Sequence, residues 1–269
     1  MRSSLNHLLT TSATQTPRRN THIPTTDPEA GLKLTEIFYS LQGEALTAGL
    51  PTIFIRLTGC PLRCVYCDTE YAFVGGQRWG LDEILIHIQQ YPCQRVCVTG
   101  GEPLAQPNAI VLMQRLIDAG YEVSLETSGA LSVADVPGQV SKVMDLKTPS
   151  SGEMTKNLWD NLTHLTQHDQ LKFVIMNQQD YDWAKQQVIT HNLHHKVGVV
   201  WFSPMFDVNM PKVINVVNDD TTCQHNSQTP PQPIQSLAQQ LADWILADAL
   251  PVRLQLQLHK IIWADAKGK

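Results

Sequence analysis

Ile53-Phe54-Ile55-Arg56-Leu57-Thr58-Gly59-Cys60-Pro61-Leu62-Arg63-Cys64-Val65-Tyr66-Cys67 decides how the rest of the chain is read. Its first five residues are apolar apart from Arg56, are β-branched at two positions and run into Gly59, the pattern of a buried strand. A loop with three cysteines begins where that strand ends. Three soft thiolates this close together can hold three corners of a cubane iron–sulfur cluster, which leaves the fourth iron without a protein sulfur. Clusters that only carry electrons normally have a complete cysteine set, so an open iron implies chemistry at the metal. Two other readings of the loop stay open. Cys64 and Cys67 have the spacing of half a structural zinc site, although no well-spaced second pair of cysteines or histidines accompanies them. Cys64-Val65-Tyr66-Cys67 also has the form of a redox dithiol, but such motifs usually open a helix in a thioredoxin-like arrangement, and Cys60 would then be unexplained.

Outward from the loop, strands and helices alternate. Leu81, Ile84, Leu85 and Ile88 recur at helical spacing, with Asp82 and Glu83 well placed in the first turn. Val96-Cys97-Val98 reads as a second strand, followed by Gly100 and Gly101 and by a helix with Ile110, Met113, Leu116 and Ile117 inward and Gly120 as its cap. Further strands are expected at Glu122 to Glu126, Val140 to Leu146, Leu171 to Met176 and Val197 to Phe202, with helical stretches around Trp159 and Trp183. This order implies an α/β fold with a mostly parallel sheet. Residues 218–233, which include Cys223, are polar and without periodicity and read as an inserted loop before a helix carrying Leu237, Leu241 and Ile245. Arg253 to Leu258 alternates strictly and is expected to form a last strand with one buried face.

Bulk properties bound the function. A chain of 269 residues can bury one substantial core, so a single domain is expected. The formal net charge of -5 disfavours an extended nucleic-acid surface, though a small basic pocket can hide within it. No apolar stretch approaches the roughly 20 residues of a membrane helix and no signal-peptide core is visible, so the reading is a soluble cytoplasmic protein. Up to Thr26 the chain has Arg2, Arg18 and Arg19, no acidic residue and many Ser and Thr, a composition like that of an organelle transit peptide. Its apolar cluster around Leu8 and Leu9 is too short for a convincing amphipathic helix, so residues 1–33 are read as a flexible tail and 34–269 as the catalytic domain. Cys93, Cys97 and Cys223 lack the crowding of the other three cysteines, which favours a ligand cluster over disulfides.

The triplet spacing after a first strand resembles the signature of the radical S-adenosylmethionine superfamily, whose fold is a partial (β/α) barrel. Membership implies a 4Fe-4S cluster on Cys60, Cys64 and Cys67 and S-adenosylmethionine on the open iron, cleaved to a 5′-deoxyadenosyl radical that abstracts hydrogen. Thr99-Gly100-Gly101-Glu102-Pro103 resembles the superfamily's methionine-binding motif, in which glycines permit close backbone approach and a carboxylate can receive an ammonium group.

Glu36-Ile37-Phe38-Tyr39-Ser40-Leu41-Gln42-Gly43-Glu44 resembles the N-terminal segment of the 7-carboxy-7-deazaguanine synthase family. That narrower resemblance implies substrate contacts at Leu41, Gln42, Gly43, Arg56 and Thr99, with the Gln42 amide offered to a pterin edge and Arg56 suited to a carboxylate. It implies a magnesium ligand at Thr69, next to Cys67 and Asp68, and magnesium can complete its shell with water and substrate oxygens. Cofactor contacts carry over to Tyr66, Cys67, Asp68, Gly101, Asp145, Leu146 and Lys147. Many members have Ser-Pro-Lys where this chain has Asp145-Leu146-Lys147, so backbone contacts transfer more safely than side-chain roles. Arg253 to Lys260 resembles the family's terminal strand and basic segment, with His259 read as a solvated strand-end histidine ahead of the alternative that it approaches substrate.

The implied reaction is ring contraction of 6-carboxy-5,6,7,8-tetrahydropterin to 7-carboxy-7-deazaguanine with loss of ammonia, in queuosine biosynthesis and hence a tRNA-modification pathway. Implied partners are the small pterin, an external electron donor such as flavodoxin and a second copy of the chain in a homodimer, with no direct nucleic acid and no membrane. No catalytic side chain beyond the cluster and cofactor set is assigned. The alternatives are a glycyl-radical-activating enzyme, which shares the cysteine loop and glycine motif, and a non-catalytic zinc-bound interaction protein.

Overall fold

The strand that opens the cysteine loop occupies Pro51–Leu57 in a computed structural model that describes residues 31–206, 236–264 and 266–268. The strands are β1 (Leu32–Leu41), β2 (Pro51–Leu57), β3 (Gln77–Trp79), β4 (Arg95–Gly100), β5 (Glu122–Thr127), β6 (Ser141–Asp145), β7 (Gln170–Ile175), β8 (Val199–Pro204) and β9 (Arg253–Leu254). The helices are α1 (Leu81–Ile88), α2 (Asn108–Asp118), α3 (Gln178–Thr190), α4 (Leu237–Asp248) and α5 (Leu258–Trp263). They build one sheet in the order β3-β1-β2-β4-β5-β6-β7-β8-β9, parallel from β2 onward. This is the open, partial barrel expected from the sequence. Ile53, Ile55 and Leu57 point into the core with no exposed surface, each contributing about 1.5–3 kcal/mol of burial, while Phe54 and Arg56 point the other way.

Several elements differ from expectation. β1 and β3 were not foreseen, and both pair antiparallel, β1 against β2 and β3 against β1. β1 begins at Leu32, two residues ahead of the boundary expected at Leu34. The remainder of the expected tail, and the insertion with Cys223, lie outside the described residues. On α2, Ala109 and Leu112 join Met113 and Leu116 on the buried face, whereas Ile110 and Ile117 are only half-buried at its edges. Gly120 follows α2 at φ +86°, the left-handed position that ends helices most easily with glycine. The stretch around Trp159 is a 3-10 helix, Trp159–His164. The alternation after Arg253 is real but faces the other way. Gln255 is buried, Leu254 and Leu256 are exposed, and the ladder stops after two residues.

The polar face turns inward there because it closes the barrel's open seam. Gln255 N donates to Phe202 O, Leu258 N donates to Gly43 O (3.0 Å), and Gln257 Nε2 donates to Glu44 Oε1 (2.7 Å). The segment after β9 is thereby fastened to the turn after β1 by hydrogen bonds that no strand pairing supplies. No helix of the described residues is long and apolar enough to cross a membrane.

Candidate active site

The side chains and loops toward the C-terminal ends of the parallel strands surround a cavity of about 640 Å³. Parallel α/β sheets present ligands at this end, because the connecting loops gather there. Every residue assigned to the site from sequence lines this cavity except Leu146. Leu146, the first residue after β6, is fully buried and stays out of the cavity wall, whereas its neighbours Asp145 and Lys147 line it.

Cys60, Cys64 and Cys67 are unbridged, half-buried and part of the cavity wall. Burial pushes all three thiols above the ordinary thiol value, Cys64 to about 11, so metal loading must displace protons from them. The loop is pressed against the end of β4. A Cβ on Gly101 would fall 2.3 Å from Gly59 O and 2.8 Å from Cys60 Cβ, and Gly100 has φ +147° with Leu57 O in the way. Glu102, the acid of that motif, takes no part in the cavity wall. Its carboxylate is fully buried and accepts hydrogen bonds from Leu104 N, Thr127 Oγ1, Ser128 N and Ser128 Oγ, which anchors the turn instead of receiving an ammonium group. Among the described residues no three His, Cys, Asp or Glu side chains converge on one ion. Three thiols on one loop suit a polynuclear cluster in which each iron takes one sulfur.

Asp145 and Lys147 share the wall with the cysteines. Lys147 Nζ lies 3.0 Å from Asp145 Oδ2 and Lys172 Nζ lies 3.8 Å from the same oxygen, whereas Asp145 Oδ1 is buried without a partner. The Tyr66 hydroxyl is buried in the same wall, beside Thr148. An unsatisfied buried polar atom such as Asp145 Oδ1 in a cavity wall fits a polar ligand such as the cofactor, since it otherwise costs a lost hydrogen bond. Thr69 Oγ1 donates to Asp68 Oδ1 (2.8 Å), so its lone pairs remain for a cation.

The other half of the cavity is built by the turn after β1. Gln42 Oε1 accepts from Gly43 N (2.8 Å) and Glu44 N (3.3 Å), and Gln42 Nε2 donates to Glu126 Oε1 (3.1 Å). The amide expected to greet a pterin edge is therefore largely spent on shaping the turn. Glu126 is the carboxylate that faces the cavity in its place, with Thr99 Oγ1 donating to its other oxygen (3.0 Å). His259 is not a solvated histidine. It lines the cavity and packs on Gly43, where a Cβ would fall 2.0 Å from His259 Nδ1. Gly43→Ala is expected to push His259 aside and raise the KM for substrate at least about tenfold at unchanged iron content, as steady-state kinetics beside iron analysis would show.

Glu44, Lys172, His259 and the strip Ser203 to Phe206 are cavity residues that no sequence assignment included, whereas Glu126 belongs to Glu126-Thr127-Ser128-Gly129, a segment that resembles a family segment near the cofactor without an assigned role of its own. Lys172 had a signal, a lone charge in the otherwise apolar run of β7, but its partner Glu44 lies 128 positions away. Burial works to raise Glu44, yet the Lys172 ammonium at 2.6 Å outweighs it and holds the carboxyl at about 2.

The class of protein that an incomplete barrel and a three-cysteine loop define is the one found by comparison, since residues 54–146 match the model of the Radical SAM superfamily. A crystal structure of QueE from Escherichia coli shares the fold, with a TM-score of 0.63 at 21% identity over 85% of this chain and 95% of that one. The 7-carboxy-7-deazaguanine synthase of Koribacter versatilis is 43% identical over 88% of this chain and 100% of its own length. That of Chlorobaculum tepidum is 38% identical over 89% and 98%. The chain belongs to the 7-carboxy-7-deazaguanine synthase family.

Proposed function

We propose that this chain converts 6-carboxy-5,6,7,8-tetrahydropterin to 7-carboxy-7-deazaguanine with release of ammonia, a step of queuosine biosynthesis. The observation that carries the reading is one cavity lined both by the three free thiols and by Gln42, Gly43, Arg56 and Thr99. Relatives named for this activity match nearly the whole chain, which disfavours both the glycyl-radical activase and the zinc interaction protein.

Cys60, Cys64 and Cys67 would hold the 4Fe-4S cluster, with Gly101, Tyr66 and the Asp145 and Lys147 side chains around S-adenosylmethionine. When bound, these groups supply a 5′-deoxyadenosyl radical that takes hydrogen from the substrate. The chain's own residues then have distinct tasks. Arg56 binds the carboxylate, the turn at Gly43 with His259 orients the ring, and Glu126 stands as the acceptor for a ring N–H. Gln257, Leu258 and Glu44 hold the barrel seam shut and limit water access around the reacting atoms.

Thr69 is proposed as the protein ligand of a magnesium ion that also takes substrate oxygens and offsets their charge. Thr69→Ala is expected to raise the magnesium concentration needed for half-maximal rate about tenfold and to leave iron content intact; unchanged magnesium activation would remove Thr69 from the site. An external donor such as flavodoxin and a homodimeric state belong to the same reading. Val65, at the tip of the cysteine loop, is 71% exposed, so the cluster loop is open to a reductant from outside. Anaerobically reconstituted protein given the carboxylated tetrahydropterin, S-adenosylmethionine, magnesium and a strong reductant should yield the mass of 7-carboxy-7-deazaguanine. Unchanged pterin beside cleaved cofactor would reject the substrate while keeping the class.

A further inference from the structure

Arg56 does not stand alone in the cavity wall, and the way it is held follows from an irregularity in β1. Leu34 pairs with Leu57, but Glu36 pairs with Arg56, so Thr35 is an extra residue bulged out of the ladder. The bulge resets the alternation of side chains. Before it, Leu32 and Leu34 point into the core; after it, Ile37 and Tyr39 do, and Glu36 and Phe38 turn to the side of Arg56. Thr35 Oγ1 and Thr58 Oγ1 share a hydrogen bond of 2.8 Å that fastens the irregular position to the start of the cysteine loop.

Glu36 Oε1 then accepts from two donors, Arg56 Nε at 2.7 Å and the Tyr71 hydroxyl at 2.8 Å. Phe38 lies flat on Phe54, with ring centroids 4.8 Å apart, and the Arg56 guanidinium carbon sits 5.6 Å from the Phe38 centroid and 5.9 Å from that of Tyr71. Arg56 and Tyr71 line the cavity, whereas Glu36 does not. With Nε committed to Glu36 and the Phe38 and Tyr71 rings close by, the guanidinium has its two terminal nitrogens left to offer a ligand. Two parallel N–H groups in a fixed fork match the two oxygens of a carboxylate. A guanidinium free to rotate would lose that match and the entropy of fixing it at each binding event.

We propose that Glu36, supported by Tyr71, is a positioning residue that fixes the Arg56 fork and so sets the preference for a carboxylated pterin over one without the carboxylate. This rests on the reading that Arg56 receives the substrate carboxylate. The test measures equilibrium binding of 6-carboxytetrahydropterin and of tetrahydropterin lacking the carboxylate to the reconstituted protein. It compares wild type, Arg56→Gln, Glu36→Gln, Tyr71→Phe and the Glu36→Gln, Arg56→Gln double variant.

Arg56→Gln is expected to lose about tenfold to a hundredfold of the preference, the value of a charge-assisted pair. Glu36→Gln and Tyr71→Phe should each lose about threefold to tenfold, and the double variant should show no further loss beyond Arg56→Gln, because Glu36 acts through Arg56. Full preference in both Glu36→Gln and Tyr71→Phe, or losses that simply add in the double variant, would overturn the positioning role. Full preference in Arg56→Gln would instead reject the underlying placement of the carboxylate. If Glu36→Gln fails to load iron, Tyr71→Phe decides alone, since it removes one hydroxyl and keeps the packing.

Discussion

Alanine at Cys60, Cys64 or Cys67 is expected to abolish turnover and to cut bound iron to a small fraction of the wild-type content. Each substitution removes one of three thiolates from a site that already lacks a fourth, and two sulfurs cannot hold a cubane against loss to solvent. The structure supplies the controls. Cys93 is buried and its thiol donates to Pro51 O, and Cys97 is fully buried in β4. Neither lines the cavity, so Cys93→Ala and Cys97→Ala should keep iron, sulfide and colour while losing some stability to the space left behind. Iron and labile-sulfide analysis with visible absorbance checks all five variants. A fully active variant at any of the three loop positions would contradict the assignment.

Lys172→Met is expected to be the most destabilising change outside the cysteine loop, by about 3–5 kcal/mol, because it leaves Glu44 ionised, buried and unpaired. Lys172 bridges Glu44 at 2.6 Å and Asp145 at 3.8 Å, and so joins the turn after β1 to the end of β6. Adding Glu44→Gln should recover part of the loss, as the penalty lies in the uncompensated charge more than in the missing contact. The pair also fixes a pH dependence. Glu44 is held at about 2, below its ordinary 4.5, so its contribution is complete above the ordinary value and disappears as pH falls through that window. Lys172 is raised above its ordinary 10.5, so its contribution is complete below that value and is lost only as pH rises beyond it. Urea unfolding at neutral pH and in the acid window measures the destabilisation and the Glu44 dependence. The wild type should lose stability on acidification across it, and the Glu44→Gln, Lys172→Met double variant should lose less.

What the sequence made legible was local chemistry on regular elements. The β2 to β8 ladder follows from short apolar runs, ended by glycine after β2 and at β4, and the cysteine loop could be placed because it starts where β2 stops. Side-chain direction was legible in principle as well. Asp145 and Lys147, two positions apart, line the cavity, whereas Leu146 between them stays buried outside it. β1 was harder, because its bulge at Thr35 breaks the alternation that would have marked a strand, and the apolar positions on the two sides of the bulge fall out of phase. The segment after β9 misled for another reason. Its period is right, but the polar face is the buried one: Gln255 is buried beside β8, and Gln257 reaches Glu44 across a seam whose other side lies more than two hundred residues earlier. Glu44–Lys172, Gln42–Glu126 and His259–Gly43 are pairings of the same kind, set by tertiary closure and invisible to any local window.

The reduced, anaerobically reconstituted protein offers the most direct measurement, its electron paramagnetic resonance spectrum recorded with and without S-adenosylmethionine. A vacant coordination position on the cluster predicts that the sulfonium compound perturbs the signal, and that no such change appears in the Cys64→Ala protein. A signal indifferent to the compound, or protein that carries a single zinc and no iron, would contradict the claim that these three cysteines leave one metal corner open for chemistry.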